Sequence, residues 1–129
     1  MAAWADVRRI ATALPEVAER TSRGDLDWRV RDRSFVWERP LRRADLEALA
    51  DQAPDGPILG AYVPDEGVKE ALIAEAPDVY FTTPHFDGYP VVLVRLDRID
   101  LPELEELVAE AWVARAPKRL AQQYLDART

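Results

Sequence analysis

Residues 23–40 read RGDLDWRVRDRSFVWERP, an alternating run on which the architecture turns. Leu26, Trp28 and Val30 alternate with Asp27, Arg29 and Arg31, so one side of the segment is apolar and the other charged. Successive side chains of a strand point to opposite faces, and the pattern predicts a strand packed on one side. Asp32-Arg33 then turns the chain into a second run through Phe35 and Trp37, with room for a short strand ahead of both at Ala18–Ser22. A connection this tight joins antiparallel strands, because parallel ones need a long crossover.

Helical patterns flank the hairpin. Val7, Ile10, Ala11 and Leu14 fall at i, i+3, i+4 and i+7, and Pro15 ends that helix because it lacks an amide hydrogen. Leu46, Leu49 and Ala50 mark a second helix within Leu41–Asp51, stopped by the turn-forming APDGP at 53–57, after which ILGAYV at 58–63 suits a strand. Acidic residues open a third helix over Asp65–Ala76. VYFTT (79–83) and VVLVRL (91–96) read as strands, the second apolar on both sides and therefore central. Asp100 and Glu103 have capping-box spacing, Pro102 suits a first turn, and Leu104, Leu107, Val108, Ala111 and Trp112 form one stripe. That helix should run to Arg115 and break at Pro117.

The expectation is an α+β two-layer sandwich built on a mainly antiparallel sheet, one domain over residues 1–129 with a helical C-terminal tail from about 117. Val7, Ile10, Leu14, Trp28, Val92, Val94, Leu104, Leu107 and Val108 are its expected core.

Composition narrows the possible roles. The chain has 129 residues, 48% hydrophobic and 32% charged, enough to bury roughly 65–70% of its unfolded surface without cross-links. It contains no cysteine, which excludes disulfides and thiolate chemistry, and its start, MAAWADVRRIATALPEV, lacks the apolar run of a leader. We expect a cytoplasmic protein that does not engage membranes. A net charge of −7 repels nucleic acid at long range, yet residues 1–50 hold ten arginines against nine acids, so any anion-binding face must lie there.

Candidate chemistry is sparse. His85, the single histidine, lies in a loop from Pro84 to Pro90 where Asp87-Gly88 makes a turn. A metal site needs three or four ligands in recognisable spacing, and His85-x-Asp87 offers two. We read His85 as a loop organiser bonded to a local carbonyl, with Phe86 and Tyr89 packing back. The two serines, Ser22 and Ser34, stand in no nucleophile motif, and the paired acids Asp65-Glu66 and Glu105-Glu106 fit solvated helix starts and faces. No catalytic residue, metal or cofactor is expected. From Arg20 to Arg43 there are eight arginines against four acids, with Trp28, Phe35 and Trp37 interleaved. Such a mixture suits phosphate contact and base stacking; equally, the aromatics are core at strand spacing and the arginines solvate an outer face.

The stretches LPEV, FVWERPL, APDGPIL, FTTPHFDGYPVVLVRL and AEAWVARAPKRLA together resemble the MmcQ/YjbR family, in the variant found in actinobacterial genomes. The resemblance implies a two-layer fold similar to that of type III secretion chaperones and, through the family's name, DNA binding. It supplies no catalytic residue that transfers to a position of this chain.

Three classes of function follow. One is a nucleic-acid binder that holds DNA weakly and without sequence preference through Arg20, Arg23, Arg29 and Arg31. Another is a module that takes a protein or small molecule in an aromatic groove near the 84–90 loop, with Trp37, Arg39, Tyr62, Tyr80, His85 and Phe86 as its residues. The third, an enzyme, has the least support because nucleophiles, metal ligands and phosphate loops are scarce. The expectation is a non-catalytic binding module.

Overall fold

The structure, a computed structural model, describes residues 2–128. Five helices and six strands follow the order α1 (Trp4–Thr12), β1 (Val17–Ser22), β2 (Asp25–Val30), β3 (Arg33–Glu38), α2 (Arg43–Leu49), β4 (Ile58–Tyr62), α3 (Glu66–Glu75), β5 (Tyr80–Phe81), β6 (Val91–Arg95), α4 (Leu101–Arg115) and α5 (Lys118–Ala127). The strands form one antiparallel sheet in the order β1-β2-β3-β4-β6-β5. This is the expected α+β architecture.

Two-residue turns build the first three strands. Arg23-Gly24 (φ 53° and 85°) joins β1 to β2, and Arg31-Asp32 (φ 50° and 66°) joins β2 to β3. Paired left-handed residues make the turn whose twist matches that of the flanking strands, which is why the second turn falls one residue earlier than the Asp32-Arg33 expected.

A bulge then departs from simple alternation. Trp28 opposes Val36 and Arg29 opposes Ser34, so Phe35 has no partner across the ladder. The extra residue sends both Phe35 and Val36 into the core and turns Trp37 to the opposite face. Phe35 and Trp37, which alternation places together, lie on different sides of the sheet.

The first face carries the main core. Trp28, Val30, Val36, Leu59, Ala61, Val92 and Val94 meet Val7 of α1 and Leu104, Leu107, Val108 and Trp112 of α4. Leu14 only packs against this cluster, half-buried, since α1 has already ended. The buried indoles keep their donors satisfied: Trp28 Nε1 donates to Glu19 (2.9 Å) and Trp112 Nε1 to the Pro15 carbonyl (3.1 Å). Asp65 and Asp100 cap α3 and α4 by accepting from the Val68 and Glu103 amides, each at 2.9 Å.

The second face is covered in part. Ile58, Phe81, Phe86, Val91 and Leu93 form a smaller cluster with Trp37, Leu41, Leu49 and Tyr62 around it. β4 and β6 are therefore buried on both sides, as the unbroken apolar run of β6 required. Leu46 of α2 faces outward, 48% exposed, because so short a helix presents little more than one turn to the sheet. The expected strand at 79–83 shortens to Tyr80–Phe81, since a 3-10 turn begins at Pro84. Among the described residues no helix is long and apolar enough to cross a membrane.

Candidate functional site

Beyond the edge of the smaller cluster the second face opens into a pocket of about 450 Å³, lined among others by Trp37, Tyr62, His85 and Phe86. Three elements deliver these rings: β3, the end of β4, and the 3-10 turn Pro84–Phe86. The Trp37 ring centroid lies 5.5 Å from Tyr62 and 6.4 Å from Phe86, both tilted, and His85 meets Phe86 edge-on at 4.8 Å. Such tilted and edge-on contacts suit the charge distribution of aromatic rings.

Gly60 makes the floor possible. It pairs directly with Trp37 across the ladder, and a Cβ there would come within 2.5 Å of Trp37 Cε2. The indole consequently packs directly against the glycine backbone and also lines the pocket.

Two buried cations hold the walls. Arg39 donates to Asp45 (3.0 Å) and to the Pro40 carbonyl, and its guanidinium stands 5.3 Å from the Phe86 ring centroid. Burial would raise the Asp45 carboxyl, but the Arg42 amide (2.9 Å) and the Arg39 guanidinium outweigh it and leave Asp45 below the ordinary carboxylate range. Arg39, expected as a groove ligand, thus lines the pocket while engaged with α2. Lys69 of α3 donates to the carbonyls of Phe86 (2.8 Å) and Tyr89 (3.0 Å), clamping the 84–90 loop.

On the other wall, buried Asp27 accepts from Arg29 (2.6 Å) and Ser34 (2.5 Å), while Glu38 accepts from the Leu26 amide (3.0 Å). Arg115 reaches from α4 to the second face, its guanidinium 4.0 Å from the Tyr62 ring centroid and its Nε bonded to the Ser34 carbonyl (3.0 Å). At the mouth stand Arg23, Arg42 and Asp25, none of which forms an ion pair among the described residues.

Several sequence expectations are corrected here. Tyr80 belongs to the first face, where its hydroxyl donates to Glu103; neighbouring positions of a strand point apart, and Phe81 takes the pocket side. Burial, and then the Glu103 carboxylate, push the Tyr80 phenol well above its usual range. Tyr89 does not pack back but is 58% exposed, since its carbonyl rather than its ring is held. His85 is exposed and has the Phe86 ring, not a carbonyl, as its partner.

The four candidate arginines do not form one free basic face. Arg20 pairs with Asp32 (2.9 Å), Arg29 with Asp27 (2.6 Å) and Arg31 with Glu16 (2.5 Å). Arg23 and Arg31 also sit at opposite ends of β2, roughly 20 Å apart at the rise of a strand. Trp28 and Phe35, interleaved with them in sequence, are wholly buried on the other face.

The pocket and its clamps all fall within residues 12–114, which match the sequence profile of YjbR. The chain belongs to the YjbR family. It is 56% identical over 128 residues to uncharacterised proteins of Mycobacterium tuberculosis (strain H37Rv) and Mycobacterium bovis, with 97% of each chain covered. The crystal structure of Deinococcus radiodurans protein DR2400, a DUF419 domain, matches 88% of this chain and 78% of its own with a TM-score of 0.66 and 21% identity, a likeness of fold. Within this YjbR chain, α5 lies beyond the matched segment, while α1 overlaps it by one residue.

Proposed function

We propose that this YjbR protein is a non-catalytic binding module whose ligand is a small molecule held in the pocket over Trp37. The observation that carries the reading is the half-buried indole packed against Gly60 in the pocket lining, with Tyr62, Phe86 and His85 around it. The pocket is concave, and it sets a cluster of aromatic rings among charged and hydroxyl side chains, a combination that can stack a ring and orient its polar groups.

Binding is favoured over catalysis because the pocket's buried charged groups are already engaged, Asp27 with Arg29 and Ser34 and Arg39 with Asp45, while Glu38 accepts from a backbone amide. A general base has to be within reach of a proton it can take, and His85 has no carboxylate to orient it among the described residues. The DNA role implied by the family's name would rest on Arg20, Arg23, Arg29 and Arg31, and ion pairs at three of the four weigh against it. The cytoplasm remains the proposed setting.

A thermal-shift screen of small aromatic compounds against the wild type and Trp37→Ala tests the reading. Compounds that raise the melting temperature of the wild type and not of the variant are expected. A set of binders indifferent to Trp37→Ala would refute the assignment of the site.

A further inference from the structure

We infer that the ligand is a planar aromatic anion, its ring stacked on Trp37 and its anionic group held by Arg23 and Arg42. The inference rests on the pocket assignment above and goes beyond it by naming the ligand's charge. It follows from which charges at the pocket are engaged and which are not. Asp27 and Arg39 are each paired with an opposite charge, and Glu38 accepts a hydrogen bond from the Leu26 amide. The lining balances overall at three arginines and three acids, but of its charged side chains only Arg23, Arg42 and Asp25 make no hydrogen bond or ion pair among the described residues, and two of these three are guanidinium groups.

The two arginines reach the mouth from separate elements. Arg23 occupies the β1–β2 turn, where its φ of 53° is a conformation that glycine or asparagine adopts far more readily, and Arg42 directly precedes α2. Both side chains are exposed, and neither has an ion-pair partner among the described residues. Guanidinium groups bind carboxylate, sulfonate or phosphate through paired donors, and a neighbouring indole supplies the surface for the attached ring. Asp25 beside Arg23 would reject a second negative group and limits the ligand to a compact anion.

The test uses two fluorescent probes that differ by one sulfonate, 8-anilino-1-naphthalenesulfonate and the neutral N-phenyl-1-naphthylamine. They are titrated into the wild type, Trp37→Ala and the double variant Arg23→Gln/Arg42→Gln, with circular dichroism showing that all three are folded. The arginine variant is expected to weaken the sulfonate probe by about tenfold or more and the neutral probe by less than about twofold, because only the first makes charge-assisted contacts. Trp37→Ala should weaken both. AMP and 2-naphthoate as competitors tell a phosphate from a carboxylate ligand, with adenosine and 2-naphthol as their neutral counterparts.

If Trp37→Ala weakens both probes while the arginine variant leaves the sulfonate probe unchanged, the pocket stands and the anion inference falls. Neutral competitors as effective as the anions would overturn the anion inference in the same way. If Trp37→Ala changes neither probe, or neither binds the wild type, the pocket assignment itself falls.

Discussion

Gly60→Ala probes the floor of the pocket, and its cost can be worked from the geometry. The added Cβ would lie 2.5, 2.7 and 2.9 Å from Cε2, Cζ2 and Nε1 of Trp37, all rigid ring atoms. Carbon atoms rest about 3.5–4.0 Å apart, so the indole must rise by about 1 Å. Tyr62 at 5.5 Å and Phe86 at 6.4 Å flank it and resist sideways escape. Overpacking of this kind costs about 1–3 kcal/mol, and removing a strand glycine returns about 0.5–1 kcal/mol of backbone entropy. The net expectation is a loss of about 1–2 kcal/mol. With a urea slope of about 1–3 kcal/mol/M, the midpoint of unfolding followed by circular dichroism falls by roughly 0.5–1 M. In a Trp37→Ala background the clash is gone, and Gly60→Ala becomes neutral or mildly stabilising. Equal destabilisation in both backgrounds would refute the contact between indole and glycine.

Asp45→Asn leaves the buried Arg39 without its counter-charge and is expected to cost about 3 kcal/mol in urea unfolding, against near neutrality if the pair were solvated. Because the folded Asp45 carboxyl titrates below its unfolded value, its contribution is complete above the unfolded range near about 4 and is lost as pH falls through the folded one; wild type should therefore lose stability more steeply than Asp45→Asn below about pH 5. Lys69→Met keeps the aliphatic stem but removes the clamp, so hydrogen exchange at Phe86, Asp87 and Tyr89 should quicken by about tenfold or more, while exchange in β4 stays unchanged. Labelled duplex DNA at about 50 mM salt should give no change in anisotropy, whereas binding that fades by about 200 mM would return the arginines to the centre of the function.

Much of the fold is legible in the sequence because its periodicities are strong. The stripe Leu104, Leu107, Val108, Ala111 and Trp112 is buried as its helical spacing demands, and the alternation of Leu26, Trp28 and Val30 against Asp27 and Arg29 divides the two faces of β2. The pocket is harder to see because it depends on an exception. One unpaired residue, Phe35, reverses the direction of Trp37, and nothing in alternating Phe35 and Trp37 signals the bulge. Nearness to His85 in sequence points Tyr80 into the groove, while the parity of a two-residue strand sends it the other way. Lys69 does leave a signal: it stands on the same helical stripe as Leu72, Ile73 and Ala76, where a cation needs a buried acceptor. The partners it finds, two loop carbonyls, are not written in residue types.

The pocket lies where it does because the sheet's second face is covered only as far as its composition requires. β4 and β6 are apolar on both sides, so α2 and the 84–90 loop must shield Ile58, Val91 and Leu93. β1 and β2 present Arg20, Asp27 and Arg29 on that face, and these need no such cover. Shielding therefore stops at β3, and Trp37 stands half-buried on the border between the two regimes, packed against Gly60 and lining the pocket. Each shielding piece is fixed by a buried cation bonded to local groups, α2 through Arg39 and Asp45, the loop through Lys69 and two carbonyls. Walls held in this way would lose little further freedom on taking up the ligand proposed above, a saving that favours affinity.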